Sequence, residues 1–215
     1  MAYINRIRYI RQVLDFVLFT NIFIAICASA QGYVTYLLLS ANPDKYILAI
    51  LFCSTLTMYN ISILLSKPVN PDKSPYRRVR WIFSYTKWIM GLTLIAGFSM
   101  IPLFLFLSHS SQLLLVLLAL LSIAYNLPVL TFANKLFNLR NVPGLKLFLI
   151  ATVWSLSCVL LPIIELNNHQ SISISASQAV LLTANRFLFI AAITIPFDIR
   201  DLFQDQKYNL KTIPV

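Results

Sequence analysis

Residues 196–215 read PFDIRDLFQDQKYNLKTIPV and follow directly on a long apolar run, so three carboxylates, Asp198, Asp201 and Asp205, arrive together at the edge of a hydrophobic segment. Their spacing is i, i+3 and i+7. At about 100° per residue they share a narrow arc of one helix face. Like charges set that close repel unless a cation sits among them. A hard divalent ion suits such oxygen donors, and Mg²⁺ usually takes one or two carboxylates together with substrate phosphates. Arg200, Lys207 and Lys211 lie nearby in the chain and offer positive charge to a phosphate. The plainer reading of the same stretch is a solvated, acidic helix end.

Outward from this stretch the chain is greasy. Its 215 residues are 59% hydrophobic and 11% charged, with a mean hydropathy of +0.77. A soluble protein carries about a quarter charged residues, so the composition points to an integral membrane protein. Six apolar segments can be drawn, at 13–39, 46–66, 88–107, 112–131, 147–165 and 178–197. Each is about the length a helix needs to cross roughly 30 Å of hydrocarbon. The expected fold is an all-α, multi-pass bundle of about six transmembrane helices, forming a single membrane domain over residues 1–215.

The net charge of +10 would raise nucleic acid as a partner in a soluble protein. Here it encodes orientation. Fifteen of the seventeen Lys and Arg fall at the N-terminus, in the loops after the second and fourth segments, and at the C-terminus; Lys45 and Arg186 are the others. That is a positive-inside pattern, which places both termini and the basic loops in the cytoplasm of what reads as a bacterial cell membrane. The expected environment is the lipid bilayer, with no nucleic acid. Cys27, Cys53 and Cys158 all lie inside apolar runs without metal-type spacing. Among polar residues within the spans, Arg186 must face the bundle interior or a wet cavity. Asn21, Asn126 and Asn185 read as interior hydrogen-bonding groups; Asn60, where a helix end meets the basic loop, is a candidate catalytic residue, and Asp15 either pairs with Arg11 or reaches the interface.

The D-x-x-D-x-x-x-D run at Asp198, Asp201 and Asp205, with the basic segment and KTIPV after it, resembles the second aspartate-rich motif of the UbiA-type intramembrane prenyltransferases. The arrangement agrees, since in that family this motif follows the sixth helix and the first motif lies at the cytoplasmic end of the second. The segment LRNVPGLKLFLIATVW, residues 139–154, resembles the family's connection between helices four and five. Lys146 lies in it and is a further diphosphate candidate. The resemblance implies transfer of a prenyl group from a polyprenyl diphosphate to a hydrophobic, commonly aromatic acceptor, with Mg²⁺ as cofactor. It assigns Asp198, Asp201 and Asp205 to the metal and diphosphate, and Arg200, Lys207 and Lys211 to diphosphate contacts.

Two departures qualify the match. The family's first motif has the form N-x-x-x-D-x-x-x-D; Asn60 stands in its place, but the next two positions are Leu64 and Pro68. Asp72 is the carboxylate left in that loop as a substitute metal ligand, and Arg77 and Arg78 are candidates for binding the diphosphate directly. The family also continues for about three more helices, so the resemblance is to a shortened, divergent member whose cavity is open to lipid, closed by a homo-oligomer, or unformed. Two alternatives stand beside the enzyme: a non-catalytic relative serving as a lipid-binding or assembly protein, and a small membrane transporter subunit.

Overall fold

The first apolar run does not form one helix. A computed structural model describes residues 2–126, 130–132, 135–137, 145–169 and 173–205, with side chains described for 6–125, 145–168 and 173–196. In it the chain forms α1 (Ala2–Phe19) and α2 (Ile22–Leu38), which meet at a 63° bend. Asn21 occupies the break with φ +63°, a left-handed conformation that Asn tolerates better than most residues. The Phe16 carbonyl accepts twice from the residue just after α1, from the Thr20 amide at 3.1 Å and from Thr20 Oγ1 at 2.6 Å.

The rest of the described residues are mainly helical, with one short hairpin. α3 (Lys45–Leu65), a 3₁₀ turn (Pro71–Lys73), α4 (Arg77–Ser84) and α5 (Thr86–Leu105) follow in order. Then come α6 (His109–Asn126), the antiparallel strands β1 (Leu130–Phe132) and β2 (Lys135–Phe137), α7 (Leu145–Ser155), a π-helical turn (Leu156–Leu160), α8 (Leu161–His169) and α9 (Ala176–Asp205). In the hairpin Leu130 pairs with Phe137 and Phe132 with Lys135. Among the described residues, four helices are long and apolar enough to cross a membrane: Lys45–Leu65, Thr86–Leu105, Leu145–Asn168 and Ala176–Pro196. The bent pair makes five if it is one broken span, and His109–Tyr125 is apolar but shorter. The span expected at 112–131 overshoots. The helix is described to Asn126, and Leu130 and Thr131 already lie in a strand.

Contacts divide the chain into two compact units, Met1–Val34 with Pro43–Phe106 and Thr35–Asn42 with Leu107–Val215. In the first, Asp44 caps α3 by accepting from the Tyr46 and Ile47 amides at 2.7 and 3.3 Å, which satisfies donors the helix leaves orphaned. α3 packs along α5, around a core of Ala25, Leu56 and Ala96 joined by Phe52 and Leu92. Small residues allow the close approach on which helix packing in lipid depends. Gly32 shows how close: a Cβ there would lie 2.5 Å from Leu51 Cδ1. The far face of α5 carries Trp88, Ile95, Phe98 and Leu105, all strongly exposed, as suits a lipid-facing surface.

In the second unit α7 packs on α9 and α8 on α6. Pro162 has no N–H, so the Cys158 carbonyl lacks its usual donor four residues on. Thr35 Oγ1 donates to that carbonyl at 2.7 Å. Val159, Ile163 and Ala179 form a local core with Leu39 and Leu182 against it. Arg186 is 9% exposed, in line with its expected inward placement. Asn185 departs from expectation and is exposed; one residue further along a helix turns a side chain by about 100°.

Candidate functional site

Candidate residues lie in each unit and are described separately. In the first, the break at Asn21 is tied to α3 through Asn60 and to α4 through Arg78. Asn21 Nδ2 donates to Asn60 Oδ1 at 2.7 Å, and Asn21 Oδ1 accepts from Arg78 Nη2 at 2.9 Å. Asn60 and Asn21 are 1% and 4% exposed. Among the described residues the Asn60 Nδ2 amide has no hydrogen-bond partner, and neither has Thr57 Oγ1, one turn back on the same helix. A buried donor left unmade costs about 1–3 kcal/mol. Such groups are seldom retained without a ligand, water or strain to account for them.

Arg77 pairs with Asp15, and its guanidinium lies 5.9 Å from the Phe19 ring centroid. Phe19 in turn meets Trp81 edge-on at 5.6 Å. Helical spacing favours Arg11, one turn back, as the partner of Asp15. Arg11 is exposed instead, and the longer-range partner prevails because α4 lies against α1. The cluster therefore holds Asn60, Asn21, Arg77, Arg78 and Asp15 together, one carboxylate against two guanidiniums. Amide and guanidinium groups are the donor types that suit an oxyanion, and here the Asp15 carboxylate orients Arg77 while Asn21 holds Arg78.

The other first-motif positions do not join it. α3 ends at Leu65 with Ser66 as its cap, so Leu64 is in the last turn and Pro68 lies past the helix altogether. Asp72 sits in the 3₁₀ turn and is exposed.

In the second unit α9 runs without interruption from Ala176 to Asp205, nine residues beyond the end of its membrane-length part at Pro196. The backbone thus puts Asp198, Asp201 and Asp205 on one continuous helix, at the spacing that places them on one face. The side chains of Asp198, Arg200, Asp201 and Asp205 fall outside the described residues, as do Lys207 and Lys211 entirely. Lys146 is half-buried at the start of α7. Among the described residues, which exclude the side chains of the three aspartates, there is no cluster of three metal-type ligands. An apolar groove of about 580 Å³ runs along α7 and α9, lined by Phe148, Thr152, Ala179, Thr183 and Phe187.

One buried carboxylate is not evident from sequence spacing. Glu165 is 2% exposed and accepts from the Ser108 amide at 3.1 Å, from Ser108 Oγ at 2.8 Å and from Ser111 Oγ. It lies where α6 begins, and anionic charge there complements the unpaired amides and the helix dipole. The S-x-x-S pair at 108 and 111 before an apolar run is the signal that could have found it.

No protein-family model, curated protein or solved structure matches the chain.

Proposed function

We propose that the chain is an intramembrane prenyltransferase that moves a prenyl group from a polyprenyl diphosphate to a hydrophobic acceptor of aromatic type. The observation that carries this reading is the unbroken α9 helix, which takes Asp198, Asp201 and Asp205 past the end of an apolar span on one helical face. The donor set suits Mg²⁺, being all carboxylate oxygens. Bound there, the ion would neutralise charge on the departing diphosphate. Arg200, Lys207 and Lys211 are proposed to contact the phosphate oxygens. Transfer breaks the allylic C–O bond with its electron pair leaving on the diphosphate. A carbon of the acceptor bonds to the allylic carbon and its displaced proton passes to water.

The Asn60 cluster, taken by itself, supports the reading because its amide, without a partner among the described residues, and its arginines suit a polyanion. The α7–α9 groove supports it through an apolar lining fit for an isoprenoid tail. Purified protein should bind labelled farnesyl or geranylgeranyl diphosphate only when Mg²⁺ is present, and Asp201→Ala with Asp205→Ala should abolish that binding. Absence of binding by the unaltered protein, with and without Mg²⁺, would refute the proposal. One observation favours a second reading, a non-catalytic prenyl-lipid binder: the family's first-motif carboxylates are Leu64 and Pro68, the latter beyond the helix end. That reading predicts Mg²⁺-dependent binding without turnover for any aromatic acceptor.

A further inference from the structure

We infer that α1 is not a membrane-crossing segment but an amphipathic helix lying in the interface of an anionic phospholipid bilayer. On a wheel of about 100° per residue, Arg8, Arg11, Gln12 and Asp15 share one face. Ile7, Tyr9, Ile10, Val13, Leu14 and Phe16 spread over the other, each at least 44% exposed. A spanning helix would carry its apolar residues as a block along its length; here they are divided by face, the pattern of a helix that sinks one side into the headgroup boundary.

Three further observations fix the occupant. The 63° bend at Asn21 turns α1 away from the direction of α2, which a helix leaving a crossing for the surface requires. The polar face is anchored to the protein at its C-terminal end, through Asp15 with Arg77 and Phe19 with Trp81, so the apolar side is the one left for lipid. Charge supplies the rest. Arg6, Arg8 and Arg11 are exposed, and Asp15, the one acid of α1, is already paired. Each surface arginine near an anionic leaflet raises lipid preference roughly five-fold. Arg6 falls on the apolar arc near its start, where a long side chain reaches phosphate by extending its stem along the greasy face. This surface is separate from the diphosphate reading and does not depend on it.

The test uses the full chain in phosphatidylcholine vesicles with and without phosphatidylglycerol. Nitroxides are placed one at a time from position 7 to 14, after Cys27, Cys53 and Cys158 are replaced by Ala. Oxygen accessibility should peak at 7, 10 and 14, and accessibility to a water-soluble nickel complex at 8, 11 and 12, alternating with helical period throughout. Arg6→Gln, Arg8→Gln and Arg11→Gln together should remove most of the protein's preference for spin-labelled phosphatidylglycerol over phosphatidylcholine. Depth rising steadily from 7 to 14 would mean a spanning helix and overturn the inference, and immobile, mutually broadened labels at 7, 10 and 14 would overturn it in favour of a second copy. Should the cysteine-free chain fail to fold, Ile10→Trp with the native cysteines retained tests the same placement by depth: quenching added over the unaltered protein, whose Trp88 is also exposed, should be stronger from lipid brominated near the headgroup than near the chain end, and no added quenching or the reverse order overturns the inference.

Discussion

Asn21 donates its side-chain amide to Asn60, 39 residues away, at 2.7 Å, while its own backbone stands in the left-handed region. The side chain and the backbone conformation support each other. Strain of about 1–3 kcal/mol at such a position persists only where surrounding contacts over-determine it. Here the contacts are the bonds to Asn60 and Arg78. Asn21→Ala should therefore cost about 2–4 kcal/mol, from two lost hydrogen bonds plus left-handed strain. Asn21→Gly loses the bonds but not the backbone fit, and should cost about 1 kcal/mol less. Thermal unfolding in detergent orders the two; equal losses would mean that residue 21 is not left-handed.

The Thr35–Cys158 bond makes a second prediction. Thr35→Val keeps the shape and removes the donor to a carbonyl that Pro162 leaves short. A cost of about 1 kcal/mol is expected, in the range found for hydrogen bonds between membrane helices. In a Pro162→Ala background the restored N–H takes over, so the same change should cost close to nothing. The double-mutant cycle reads that coupling directly.

Glu165 gathers three donors at the start of α6. Glu165→Gln retains size but offers one acceptor oxygen and no charge, and should destabilise by about 1–3 kcal/mol. Because the loss is at a helix start, it should appear locally. Amide hydrogen exchange at Ser111 and Gln112 should accelerate more than exchange in α3, and uniform acceleration would count against the cap.

Gly32 and Gly97 form a matched pair. Gly32→Ala places a Cβ 2.5 Å from the Leu51 side chain, whereas at Gly97 the nearest atom, Thr57 Cγ2, is 3.9 Å away. Leu51 is only 2% exposed and has little room to yield. Gly32→Ala should cost about 1–3 kcal/mol by overpacking. Gly97→Ala should be neutral or slightly stabilising, since alanine favours the helix. Melting temperatures of the two variants compare them under one condition.

How far a feature is legible in the sequence follows the range of the forces that make it. Spans depend on a local sum of hydrophobicity, so 46–66 and 178–197 correspond closely to Lys45–Leu65 and Ala176–Pro196. The break at Asn21 is hidden because neither Thr20 nor Asn21 is a helix breaker in itself. Its determinants are Asn60 and Arg78, 39 and 57 residues distant. The pairing of Asp15 is obscured for the same reason: helical spacing to Arg11 is visible in a sequence and the approach of α4 is not. Glu165 looks like the end of an apolar run because its partners, Ser108 and Ser111, stand more than fifty residues earlier. In the candidate site, the i, i+3, i+7 aspartates are legible from spacing. The amide of Asn60 that finds no partner is not, since isolation is a property of packing.

The π turn at Leu156–Leu160 has a consequence for phase. One extra residue in a helix advances every later side chain by about 100° relative to an uninterrupted pattern. The same crossing addresses two neighbours: α7 packs chiefly on α9 and α8 on α6, while Ile163 after the turn still meets Ala179 of α9 and Glu165 reaches Ser108. Length at this point is thus a specification in its own right: deleting one residue between 156 and 160 would leave the composition almost untouched and rotate that carboxylate out of reach.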